Sequence, residues 1–65
     1  MKITSRQYGG YKKARKDWIS QNDAYNKEHF GITKTQYFKI HGAVVDLTGV
    51  GGGTPSLAAV NRRLG

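Results

Sequence analysis

The 65-residue chain contains no cysteine. Disulfide staples and zinc–thiolate sites are therefore excluded. Imidazole ligation would rest on His29 and His41 alone, which stand far apart in sequence, and no cofactor is expected. Acidic residues are scarce: four, against eleven lysines and arginines, for a formal charge of +7. No apolar run approaches the ~18–20 residues that a membrane span needs. The first residues carry no apolar segment like a secretory signal, so the expected location is cytoplasmic. A chain this short buries only ~60% of its unfolded surface. Without disulfides or a metal, close packing or a partner must complete the core.

The positive charge is unevenly distributed. Lys2, Arg6, Lys12, Lys13, Arg15 and Lys16 all precede the first acid, Asp17. A basic block beside a nearly neutral remainder suits a polyanion, and nucleic acid, DNA or RNA, is the commonest. The alternative is a solvated face that only aids solubility.

Local patterning points to helices in one small domain spanning residues 1–65. The Gly9-Gly10 pair is costly inside a helix, so the first helix is expected to begin near Gly10 or Tyr11. Residues 1–10 are then a candidate flexible arm, or end in a first turn capped by Thr4 or Ser5. Tyr11, Ala14, Trp18, Asn22 and Tyr25 recur at spacings of three and four and form one stripe, with Lys12, Lys13 and Lys16 opposite. Trp18 reads as a core anchor, with base stacking as the alternative. Tyr8 and Tyr11, at the basic end, are better stacking candidates. Asn22 or Ser20 can cap a second helix, with Asp23 in its first turn and His29 in its last. Gly31 suits a left-handed stop.

Residues 33–47 allow two readings. As a helix, Thr33 and Gln36 form a capping box, and Tyr37, Ile40, Val44 and Leu47 share a face. As a hairpin over 36–47, two strands flank His41-Gly42, and β-branched and aromatic residues favour that form. The helix is preferred. The expected fold is thus mostly α with three or four helices, and α+β is the alternative. Thr48–Gly53 reads as a flexible connector. Thr54 and Pro55 read as N-cap and first position of a last helix, with Leu57, Val60, Asn61 and Leu64 as its apolar stripe and Arg62 and Arg63 at its end.

The glycine-rich stretch raises the question of a phosphate loop. A P-loop needs Lys-Ser/Thr after its last glycine, and Thr54-Pro55 stands there instead. "AVVDLTGVGGG" looks like the strand-and-glycine motif of methyltransferases and Rossmann domains. It lacks the acidic residue expected ~20 positions later. An anion at Gly53–Ser56 is the residual reading. Residues 43–65, "AVVDLTGVGGGTPSLAAVNRRLG", resemble the opening of KfrA-type helix-turn-helix DNA-binding domains. Pro55, Ser56, Val60, Leu64 and Gly65 carry the likeness. It implies DNA binding through a following recognition helix, which would begin beyond Gly65.

These features point to a small basic, non-enzymatic accessory protein that binds nucleic acid. Lys2, Arg6, Lys12, Lys13, Arg15 and Lys16 would contact phosphates, with Arg62 and Arg63 as a second contact. The alternative is an adaptor or inhibitor, of phage or mobile-element type, docking on a larger protein or assembly through exposed aromatics.

Overall fold

The computed structural model describes residues 1–49 and 52–65. Among them the chain is all-helical, with α1 (Ser5–Asp17), α2 (Asp23–Phe30), α3 (Lys34–Thr48) and α4 (Leu57–Leu64), and no strand. The reading of Thr48–Gly53 as a flexible connector falls partly on residues 50 and 51, outside the described ones.

Helix α1 begins earlier than the Gly9-Gly10 pair suggests. Thr4 accepts the Gln7 backbone N–H, and the Gln7 side chain accepts the Thr4 N–H, completing a capping box. Two orphan donors are thereby satisfied. Residues 5–10 of the candidate arm thus lie in α1, and Ile3 is buried. The two glycines differ in role. A Cβ on Gly10 would collide with the carbonyl oxygen of Phe30, so glycine lets α1 and α2 cross backbone to backbone. A Cβ on Gly9 would meet open space.

Helix α1 ends at Asp17, and Trp18 turns the chain with a positive φ of 69°. Trp18 is 83% exposed, so it is not the core anchor its spacing predicts. The apolar period of α1 stops at Ala14 because the helix itself stops one turn later. The short link to α2 is pinned by Asn26, which is fully buried. Its Oδ1 accepts the Ser20 backbone N–H and its Nδ2 donates to the Ser20 carbonyl, both at 3.0 Å. A buried amide with both functions paired avoids the desolvation cost of an unpaired one.

Asn22 caps α2 by accepting the N–H groups of Ala24 and Tyr25. Gly31 ends it with φ 74°, donating to the carbonyls of Asn26 and Lys27. Asp23 Oδ1 accepts the backbone N–H of Lys34, which ties the start of α2 to the start of α3. Thr33 and Gln36 form the expected reciprocal box. The hairpin over 36–47 does not form. The helix sends Tyr37, Ile40, Ala43 and Val44 into one core, and no second strand pair is present among the described residues to cover a sheet. Leu47 stays exposed at the end of that face.

The last helix is capped by Ser56, whose Oγ accepts the Ala59 N–H, and not by Thr54. Pro55 therefore lies just before the cap, and its carbonyl accepts the Tyr8 hydroxyl at 2.6 Å. Asn61 repeats the Asn26 device. Its Oδ1 accepts the Ile3 N–H at 2.7 Å and its Nδ2 donates to the Ile3 carbonyl at 3.0 Å. Val60 is fully buried, and Leu57 and Leu64 pack beside it.

Two substitutions separate these roles. Gly10→Ala should cost about 2–3 kcal/mol by forcing the α1–α2 crossing apart. Gly9→Ala should instead stabilise the domain by about 0.5–1 kcal/mol. Urea midpoints of the two variants against the parent chain check both signs.

Candidate functional site

The exposed side of α1 follows from its buried side. Tyr8, Tyr11 and Ala14 point into the core. Arg6, Lys12, Lys13 and Lys16 are exposed on the face opposite them, with the bare backbone of Gly9 in their midst. At ~1.5 Å per residue this row runs about 15 Å from Arg6 to Lys16. Among the described residues the sole ion pair is Arg63–Asp46, 2.6 Å between Nη2 and Oδ2. The α1 row is therefore a set of cations with no carboxylate bound to it. Asp17, exposed at the end of the helix, is the one acid of α1.

The remaining sequence-predicted contacts separate into two groups. Arg15 is half-buried and turns toward the tyrosines: its charge acts on both Tyr8 and Tyr11. Lys2, Arg62 and Arg63 gather elsewhere, because the Ile3–Asn61 pairing lays the first residues along the end of α4. In that group the Arg63 guanidinium is engaged by Asp46, so Lys2 and Arg62 are its free cations.

Tyr8 and Tyr11 do not offer faces to a base. Both are buried, and their rings stack on each other with centroids 5.9 Å apart and planes within 5°. Tyr11 also leans on Tyr37 at 5.3 Å. The Lys12 ammonium lies 4.7 Å from the centre of the Tyr8 ring, a cation–π contact at the rim of the core. The Tyr11 hydroxyl shares a 3.1 Å hydrogen bond with His41 Nδ1, and the imidazole lies parallel to the Tyr37 ring. Burial pushes the phenols of Tyr8 and Tyr11 above their ordinary value of 10, and the positive charge of Arg15 partly opposes the rise.

The sequence missed the place of Trp18, which stands in solvent directly after the last turn of α1, where Arg15 and Lys16 lie. It also missed a surface pair on α2, where the exposed Tyr25 and His29 rings stack at 4.0 Å. Spacing of four on a helix was the available signal for that pair. Both histidines are thus engaged by aromatic groups. Among the described residues no group of three or more His, Asp or Glu could hold a metal ion. No helix is long and apolar enough to cross a membrane among the described residues.

No protein-family model matches the chain, and no curated protein or solved structure shows significant similarity to it.

The raised phenol pKa values set an alkaline limit on stability. Below pH 10 folded and unfolded chains both keep the phenolic protons, so stability is independent of them. Above pH 10 the unfolded chain releases those protons first, and stability falls as pH rises toward the folded values. Melting temperature measured across pH 8–11.5 should show this decline. Tyr11→Phe should flatten part of it while lowering stability near neutrality, because the Tyr11–His41 hydrogen bond is lost.

Proposed function

We propose that the domain is a non-enzymatic nucleic-acid-binding protein that contacts backbone phosphates through the outer face of α1. The observation that carries this reading is the row Arg6, Lys12, Lys13 and Lys16, exposed together and free of carboxylate partners among the described residues. Such a row holds its positive potential until a polyanion displaces counterions from it. Gly9 adds support. It costs helix stability and fills no steric need inside the fold, and a bare backbone there admits close approach of a ligand. Lys2 and Arg62 form a second, smaller contact. The likeness of residues 43–65 to the opening of a KfrA-type domain points in the same direction.

A second reading is favoured by the surface between α3 and α4. Phe38 and Met1 stay exposed at an open groove of about 440 Å³ between α3 and α4, beside Gly42 and Leu64. That surface suits an adaptor that docks on a larger protein, with Phe38 as its anchor.

The two readings separate on salt and on mutation. With four phosphate contacts, affinity for a fluorescent duplex or single strand should fall about a hundredfold between 50 and 200 mM salt. Reversal of Lys12, Lys13 and Lys16 to Glu should abolish binding in fluorescence anisotropy while the helical circular dichroism is kept. Phe38→Ala should leave nucleic-acid affinity unchanged. Absence of binding to any strand at low salt would refute the nucleic-acid reading and leave the α3–α4 groove as the working surface.

A further inference from the structure

We infer that the surface takes single-stranded rather than duplex nucleic acid, with Trp18 as the platform on which one unpaired base stacks. The inference rests on the phosphate-binding reading of α1 and names its ligand more closely.

Three observations converge on Trp18. The first is exposure: the one tryptophan of the chain leaves its indole 83% in solvent, while its neighbour Ile19 packs against the core. The second is conformation. Trp18 is the one non-glycine residue with positive φ among the described residues, a region that bulky L-residues disfavour. Glycine tolerates φ 69° better than any residue with a Cβ. The fold therefore gains little from the indole and is strained by its backbone, and strain of this kind collects where a side chain is held for a ligand. The third is charge. Trp18 follows the last turn of α1, which carries the exposed Lys16, with the exposed Lys13 one turn earlier; Arg15 of the same turn faces the tyrosines instead. Against these cations stands one local carboxylate, Asp17.

An exposed aromatic ring at the end of the helix that carries a row of cations matches the chemistry of an unpaired nucleotide. The phosphates meet the cations and the base meets the ring. In a duplex the bases are already stacked on one another, so the platform would find no free π-face there. Because any base presents such a face, binding at Trp18 is tolerant of sequence.

The test uses the full chain with a short single-stranded DNA, the matching RNA, the duplex of the same sequence, and an abasic strand of equal length. Emission excited at the red edge of indole absorption reports Trp18 alone. We expect quenching by both base-bearing single strands, and none by the duplex or the abasic strand. Trp18→Gly should keep or raise thermal stability, because it relaxes the positive φ, and should weaken single-strand binding about tenfold. It should leave abasic-strand and duplex affinity unchanged, and Trp18→Phe should retain most of the single-strand affinity. If single strands bind without quenching and Trp18→Gly binds them as well as the parent, the platform is overturned while phosphate binding by α1 stands. If quenching and the tenfold loss occur equally with duplex, the single-strand preference is overturned. If no strand binds at all, both readings fall together.

Discussion

The fold is organised around the close approach of two backbones. At Gly10 the chain of α1 runs against the carbonyl of Phe30, with no room for a Cβ between them. Phe30 belongs to the same buried core as Tyr8 and Tyr11, and the short link from Asp17 to Asp23 must return the chain within that distance. Within that link Trp18 takes a positive φ of 69°, and its indole lies outside the apolar stripe that its position continues. The exposed lysines of α1 lie on the side away from α2 and α3.

Polar groups fix what apolar packing alone would leave loose. A thin core with three tyrosines must satisfy hydroxyls as well as bury rings. Tyr8 uses the Pro55 carbonyl and Tyr11 uses His41, so the aromatic stack is oriented at both ends. Asn26 and Asn61 each pair a whole amide with one backbone residue, Ser20 and Ile3, in the manner of a strand neighbour. These two side chains satisfy the backbone of non-helical segments, at Ser20 and at Ile3, and hold those segments against the helices. Among the described residues no buried side-chain polar atom lacks a partner.

The legible parts of this architecture were those written in local chemistry. The Thr33–Gln36 box, the Asn22 cap and the Gly31 stop each depend on a side chain and a backbone group a few residues apart, and each could be read from spacing. The exposed row of α1 was legible for the same reason, since helical period alone sets Lys12, Lys13 and Lys16 opposite Tyr11 and Ala14. What escaped depends on partners distant in sequence. Gly10 looked like a helix breaker because its reason is Phe30, twenty residues on. Trp18 looked like core because nothing at that position marks the end of α1. Tyr8 and Tyr11 looked available for stacking because a tyrosine amid lysines reads alike whether it is buried or bare. Arg63 looked free because Asp46 lies on another helix. Ser56 and Thr54 are chemically similar caps, and which one serves is decided by where Pro55 meets Tyr8.

The Asn61–Ile3 pairing has a topological consequence. It joins positions 58 apart, and the terminal ammonium of Met1 lies 3.4 Å from the carbonyl oxygen of Leu64. Residues 1 and 65 consequently meet at one corner, near the start of α1. Trp18 lies at the other end of that helix, about 20 Å away. A peptide bond closing the two ends would convert the chain into a ring with little displacement of the native backbone. By the loop-closure arithmetic of a cross-link, such a ring would withhold about 4 kcal/mol of conformational entropy from the unfolded state. The segments that carry residues 1 and 65 are already joined, by the Ile3–Asn61 amide pair, the Met1–Leu64 contact and the Tyr8–Pro55 hydrogen bond.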